Sequence, residues 1–211
     1  TNTPLRWSAT GTTVNFVKLE YSVGGGAYVL IQNNVDNSLG ASYTWANVPD
    51  VINQNINVRA TDVDNANILG VSPTFHIVGG VALAAPTGGQ DWEALSTTNN
   101  ITWTKSGSIT SVNLYYTTNG TDYTFIDTAA ASALSYPWDM TVAPIVSGVS
   151  NTARIKITDA SNESVVNSAS AADFHIIAKY TVNTPGNGAV LTAGSPYVIT
   201  WDRHNITGVA N

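Results

Sequence analysis

The sequence predicts an all-β chain built as tandem antiparallel β-sandwiches, and three observations carry that prediction. A tryptophan landmark returns with a period near 97 residues, since Trp7, Trp103 and Trp201 stand 96 and 98 positions apart. Within each period apolar and polar residues alternate, the pattern of a strand with one buried face. Short clusters of glycine, asparagine and aspartate separate the alternating runs, as turns do. No stretch keeps an apolar 3.6-residue period long enough for a helix.

The repeat comes first because a missed repeat misassigns the whole fold. Ile101-Thr102-Trp103 recurs as Ile199-Thr200-Trp201, with a looser copy in Leu5-Arg6-Trp7. Val17, Leu19 and Tyr21 match Val112, Leu114 and Tyr116. Tyr43-Thr44-Trp45 returns as Tyr136-Pro137-Trp138. Val58-Arg59-Ala60-Thr61-Asp62 returns as Ile155-Lys156-Ile157-Thr158-Asp159, and Phe75-His76-Ile77 as Phe174-His175-Ile176. Landmarks in one order, with offsets between 93 and 99 residues, indicate duplicated domains separated by loop insertions and deletions. The period exceeds the roughly 20–50 residues of a solenoid unit and suits a small independent domain. Repeat 1 is expected over 1–78 without its opening strand, a complete repeat 2 over 79–177, and the opening strands of repeat 3 over 178–211. Repeat 1 lacks a segment equivalent to 86–100. A parent chain longer in both directions is the expectation.

In repeat 2 the alternation places seven strands near 92–96, 100–106, 111–117, 123–128, 133–139, 152–158 and 172–177. Val112, Leu114 and Tyr116 form one face of the third, and Ile155 and Ile157 one face of the sixth. Turn signals stand at Gly24-Gly25-Gly26, Asp64-Asn65, Asn119-Gly120 and Ser161-Asn162. Seven short strands, antiparallel by hairpin logic, predict a two-sheet sandwich of immunoglobulin-like or fibronectin type III-like form. The chain has no cysteine, so the antibody-type disulfide is absent and the fibronectin-like version is favoured.

Composition narrows the function classes. Lys plus Arg is 8 and Asp plus Glu is 14, for a net charge of −6. Charged residues are 10% of the chain, against roughly 25% in an average soluble domain. Polarity comes instead from 27 Thr, 18 Ser and 22 Asn. Eight scattered basic residues form no stripe for nucleic-acid phosphates, which excludes that partner. Without cysteine there is no zinc finger, thiol catalyst or disulfide scaffold. The longest apolar candidate, residues 77–85, contains two glycines and stops at Pro86, far short of the roughly 20 residues of a membrane span. A cysteine-free, Thr/Asn/Ser-rich, Lys-poor chain points to an extracellular, cell-surface location.

One segment is more specific than composition. Pro86-Thr87-Gly88-Gly89-Gln90-Asp91-Trp92 precedes Ile101-Thr102-Trp103, while Pro185-Gly186-Asn187-Gly188 and Ala193-Gly194 precede Ile199-Thr200-Trp201. This resembles the opening of the module of the Ser-Thr-rich glycosylphosphatidylinositol-anchored membrane protein family: Pro-x-Gly-Gly-Glu-x-Trp, then Gly-x, then Ile-Thr-Trp. The closing Phe-x-Ile is also similar. The resemblance spans repeat 2, repeat 1 without its opening, and the opening of repeat 3. Gln90 stands where the family has an acid, and Leu191 stands near the position of Trp92. The resemblance implies an extracellular β-sandwich of microbial cell-surface architecture and supplies no catalytic residues.

Individual residues support no catalytic, cofactor or metal site. Trp7, Trp103 and Trp201 read as core residues, as do Trp45 and Trp138. Trp92 reads as packing, with a sugar-stacking platform as the alternative. His76 and His175 alternate with inward Phe and Ile, so both imidazoles are expected to face solvent, and His204 stands apart from them. No nucleophile–base–acid constellation exists, so an enzyme is not expected. Asp62-Val63-Asp64-Asn65 offers two carboxylates for calcium. Its counterpart Asp159-Ala160-Ser161-Asn162 keeps one, which favours the turn-forming role of these residues. Sequons at Asn100, Asn119, Asn162 and Asn205 number about what composition alone produces.

The leading functional expectation is structural: a segment of a long extracellular tandem-repeat protein, joined by short connectors into a stalk, fibre, filament or surface layer on a microbial cell. Neighbouring copies would be its partners. The alternatives are an adhesion module binding cell-wall polysaccharide or a host surface through Tyr28, Tyr115 and Tyr123, and accessory repeats of a large secreted hydrolase. If the chain's ends were those of the subunit, a neighbouring copy could complete repeat 1 by strand donation.

Overall fold

The structure is a computed structural model that describes residues 4–10, 14–38, 41–144, 146 and 148–203. His204 and the Asn205 sequon lie outside the described residues. The chain divides into two compact units, Thr1–Gly79 and Gly80–Asn211. Unit 1 ends one residue past the expected 78, and the repeat 3 segment is grouped with unit 2. Among the described residues no helix is long and apolar enough to cross a membrane.

Unit 1 contains β1 (Leu5–Arg6), β2 (Phe16–Val23), β3 (Val29–Asp36), β4 (Ser42–Tyr43), β5 (Asn55–Asp62), β6 (Leu69–Val71) and β7 (Phe75–His76). The short sheet pairs β1 with β4, and the larger one runs β3-β2-β5-β6 with β7 also on β5. Every pair is antiparallel. Alternation decides which face is inside: Val17 and Leu19 on β2 and Ile56 and Val58 on β5 are buried, as is Trp45. Tyr21 of β2 meets Trp45 with ring centroids 5.2 Å apart.

Unit 2 contains β8 (Gly80–Ala85), β9 (Asp91–Glu93), β10 (Asn99–Ser106), β11 (Ser111–Thr117), β12 (Thr124–Ala130), β13 (Ser135–Trp138), β14 (Ser150–Asp159), β15 (Asn167–Ala169) and β16 (Phe174–Ile177). The hairpin of β17 (Tyr180–Thr184) and β18 (Thr200–Arg203) follows. One sheet has the order β13-β10-β8, the other β12-β11-β14-β16-β9 with β15 also on β14. The sheets meet face to face: Trp138 of the first packs on Tyr116 and Trp92 of the second, at 5.1 and 6.2 Å between centroids. Trp103, Ile101, Leu114, Ile155, Ile157 and Phe174 complete a core that excludes solvent.

The strands β1–β7 of unit 1 match β10–β16 of unit 2 in order. Tyr21–Trp45 in unit 1 is the pair Tyr116–Trp138 in unit 2, at nearly the same separation. Leu5 opposes Tyr43 as Ile101 opposes Tyr136. The amides of Trp7 and Trp103 both donate to the carbonyl of a residue with positive φ, Ala41 and Leu134. In each unit the last strand is broken into two pieces, β6 with β7 and β15 with β16. A serine spans each break: Ser72 exchanges backbone and hydroxyl bonds with Val58, and Ser170 does the same with Ile155.

Two sequence expectations are corrected. The sequence predicts no strand over residues 80–85, yet they form β8, which pairs with β10. The sheets were expected to be wholly antiparallel, yet β9 runs parallel to β16, with Trp92 opposite Ile176. The physical reason is the same for both. After β8, the chain turns at Pro86 and glycines 88 and 89, crosses to the other sheet, and joins its free edge in the direction of the last strand. Gly88 has φ of +136°, and a Cβ there would lie 2.6 Å from the Cβ of Ala172, so only glycine fits.

Candidate functional site

Strand β8 shows what a complete repeat contains. Val81, Leu83 and Ala85 are half-buried and alternate with exposed Ala82 and Ala84. Leu83 opposes Trp103 and Ala85 opposes Thr102, with a register shift between the two positions. On its other side β8 lies against β14 and β15, where the Leu83 amide donates to Ser168 Oγ at 3.1 Å. The Ser170 hydroxyl donates to the Pro86 carbonyl just beyond the strand, at 2.9 Å. Trp103 beneath it is 2% exposed.

Among the described residues, unit 1 has no counterpart of β8. In that place is a cleft of about 630 Å³. Leu5, Trp7, Val17, Leu19 and Val58 form its apolar lining, and Leu69, Gly70 and Val71 of β6 contribute further lining residues. By register these last three are the counterparts of Asn167, Ser168 and Ala169, the β15 residues beside β8. Trp7 is only half-buried and donates from Nε1 to Asn37 Oδ1 at 2.8 Å. The edge of β1 opposite β4 has no strand on it among the described residues. The Ser72 hydroxyl donates to the adjacent Pro73 carbonyl at 2.8 Å.

The hairpin β17–β18 is the counterpart of β8–β10. Val182 opposes Trp201 and Thr184 opposes Thr200, again with a register shift between them. Among the described residues the apolar side chains of this hairpin are exposed, Val182 by 61% and Trp201 by 58%. The expectation of a core tryptophan thus holds for Trp103, Trp45 and Trp138, is half met at Trp7, and fails at Trp201. Trp201 sits at the same register as Trp103.

The remaining candidates are placed as follows. Trp92 packs on Phe174 at 4.9 Å and on Trp138, so its ring serves packing. The three candidate sugar-stacking tyrosines each carry a cation on the ring. The Arg59 guanidinium lies 3.8 Å from the Tyr28 centroid, and Lys156 Nζ lies 4.6 Å from Tyr115 and 4.7 Å from Tyr123. Tyr115 also donates to Glu163 at 2.7 Å and packs edge-on against Phe125. His76 bonds Asn55, and His175 lies 2.8 Å from the Asp91 carboxylate. Asp62 accepts the Asp64 amide and Asp159 accepts the Ser161 amide and hydroxyl, the side-chain-to-backbone bonds of a turn. Among the described residues no three His, Cys, Asp or Glu side chains converge as a metal site would require. Asn119 uses its side chain to hold the turn by Thr121 and Asp122.

Charge is arranged to hold sheet faces. Glu20 is buried, which pushes its carboxyl up, but hydrogen bonds and charges from Arg59 at 2.6 Å and Lys18 at 3.1 Å hold it below its ordinary value. Glu163 is held down chiefly by the Tyr115 hydroxyl, against burial, with help from Asn113 and Lys156.

No protein-family model matches the chain, and no curated protein matches it significantly. Sequence reasoning located the deficiency of unit 1 in the segment equivalent to 86–100. The structure places the cleft where β8 would lie, one strand earlier. The available signal was the match of Val81-Ala82-Leu83 to Tyr180-Thr181-Val182, each starting five residues before a proline and 20 or 19 before an Ile-Thr-Trp.

Proposed function

We propose that the chain is a structural segment of a long extracellular tandem-repeat protein forming a stalk, fibre, filament or surface layer on a microbial cell. The observation that carries this reading is the repeated architecture. The same tryptophan strand, tyrosine–tryptophan pair and serine-bridged last strand are built twice, and the opening hairpin of unit 2 recurs in the segment that follows it. The strands of one repeat end at Ile177, and the next repeat's strand begins at Tyr180. Connectors of this length keep successive repeats close along the chain. The uncharged Thr/Asn/Ser surface supports a role outside the cell, and no catalytic role is assigned to the chain.

At the finer level of fold, the proposal is a tandem array of immunoglobulin-like or fibronectin type III-like sandwiches. The opening strand that divides into β8 on one sheet and β9 on the other supports the immunoglobulin-like form. Kinship with the Ser-Thr-rich glycosylphosphatidylinositol-anchored family is part of the same proposal, and the glycine-dependent turn at Gly88 gives its opening motif a physical purpose. Electron microscopy of a chain with many repeats tests the reading. Extended particles whose length grows in proportion to repeat number are expected, and compact particles overturn it. Protease accessibility on intact cells tests the location.

A further inference from the structure

We infer that Asp127 is an edge guard: its carboxylate caps the outward backbone of β12 and bars a second copy of this chain from pairing with that edge. The inference goes beyond the stalk reading and does not depend on it. It uses only strands interior to each unit.

Strand β12 ends its sheet, whose order is β12-β11-β14-β16-β9. Thr124-Phe125-Ile126-Asp127-Thr128-Ala129-Ala130 contains no proline and no basic residue, and Phe125 is exposed. An edge of this length and composition is a template for strand addition unless something blunts it. The register shows which groups face out. The Ala131 amide donates to the Thr110 carbonyl, so by alternation Ala129 and Asp127 bond to Val112 and Leu114, while Thr128 turns its backbone away from β11.

Asp127 is the one charged residue of β12, and it covers that outward amide: Thr128 N donates to Asp127 Oδ1 at 2.7 Å. The other oxygen is held too. The Tyr136 hydroxyl donates to Asp127 Oδ2 at 3.0 Å, and Tyr136 lies on β13, the end strand of the smaller sheet. Burial first, and the Asp127 carboxylate with it, push the Tyr136 phenol up, so it stays a donor. The carboxylate is thus fixed between the edges of the two sheets. An arriving strand would have to displace it from the Thr128 amide and strip water from its charge. Two copies pairing β12 on β12 about a twofold axis would also bring their Asp127 charges together, which is unfavourable.

Unit 1 builds the same device from a different residue. Gln32 opposes Leu19 as Asp127 opposes Leu114. Its Nε2 donates to the Asn33 carbonyl of the end strand β3 at 3.2 Å, and Tyr43, the counterpart of Tyr136, donates to its Oε1 at 3.5 Å. Side chains of different chemistry at one register both hold their own strand's backbone and tie it to the other sheet. The position, more than the residue type, carries the role.

The test compares sedimentation and amide exchange of the 211-residue chain, Asp127→Val, and the double variant Asp127→Val with Thr128→Pro. Valine suits a strand, and proline is tolerated on an edge where the lost N–H faces solvent. Asp127→Val is expected to self-associate about tenfold more tightly than the unaltered chain, the gain of one backbone bond, with exchange at residues 124–130 slowing as concentration rises. The double variant is expected to return to the association of the unaltered chain. Equal association of Asp127→Val and the unaltered chain overturns the inference, and so does association that survives Thr128→Pro. Exchange at 124–130 that slows with concentration in the unaltered chain also overturns it, because the edge would then be open to a second copy. An unchanged unit 2 melting transition checks the fold of each variant. If that transition is lost, Gln32→Val puts the same question to β3, read at residues 29–36 with the same outcomes.

Discussion

Phe174 in unit 2 is fully buried, whereas its counterpart Phe75 in unit 1 lines an open cleft. The same contrast separates Ile101 from Leu5 and Trp103 from Trp7. The paired strands beneath are alike in both units, down to the aromatic contact of Tyr21 with Trp45 and of Tyr116 with Trp138. The difference therefore isolates the opening strand. It teaches that the central strands of this sandwich define the plan, while closing the core depends on a peripheral strand of small residues that covers them.

The largest expected effect breaks the comparison if it is absent. Trp103→Ala removes a fully buried ring and is expected to cost unit 2 about 3–5 kcal/mol. Trp7→Ala removes a half-buried ring beside an existing cleft and is expected to cost unit 1 about 1–2 kcal/mol. Urea denaturation of both variants measures the gap, and equal losses would mean that the cleft is closed in solution.

A second substitution acts on the turn of unit 2 that leads into β9. Gly88→Ala forces a Cβ against Ala172 at a positive φ and is expected to cost about 1–3 kcal/mol. Amide exchange should then quicken at β9 and β16 and stay unchanged in unit 1.

The serine pair sharpens the contrast. Ser170→Ala removes a buried hydroxyl that serves the Ile155 amide and the Pro86 carbonyl, for a loss of about 1–3 kcal/mol. Ser72→Ala removes a half-exposed hydroxyl whose outward bond goes only to its neighbour, and about 0.5–1 kcal/mol is expected. Thermal melts of the two variants check the order.

The smallest effect concerns acid. Glu20 and Glu163 are both held below their ordinary values in the folded units. On lowering the pH the unfolded chain takes up the proton first. Their contribution is therefore complete above roughly pH 4.3 and is lost as the pH falls toward the folded values. Glu20→Gln should flatten this acid dependence for unit 1 and Glu163→Gln for unit 2, as read from denaturation midpoints across that range.

Much of this plan was legible in the sequence. The tryptophan period, the alternation of Val112, Leu114 and Tyr116, and the Asp turns at Asp62 and Asp159 all reflect local chemistry that the chain carries wherever it folds. Strand β8 was not legible in the same way, because Val81-Ala82-Leu83-Ala84-Ala85 is rich in alanine, which has low strand propensity, and follows two glycines. The direction of β9 depends on which sheet edge is free, a property of the assembled fold. The exposure of Trp201 and the opening beside Trp7 likewise follow from what covers a residue, which its own neighbours in sequence do not encode. For Tyr28, Tyr115 and Tyr123 the sequence located the rings, while the cations lying on them come from β5 and β14, far away in sequence.

The parallel pairing of β9 with β16 has a mechanical consequence. Tension drawn through unit 2 first meets β8, which is paired on β10, and what passes beyond it reaches the start of β9 and leaves at the end of β16. These are opposite ends of a parallel pair, so the load falls on all of its bonds in shear, together with the Glu93–Lys179 ion pair at 2.7 Å. Unit 1 has no such clasp among its described residues.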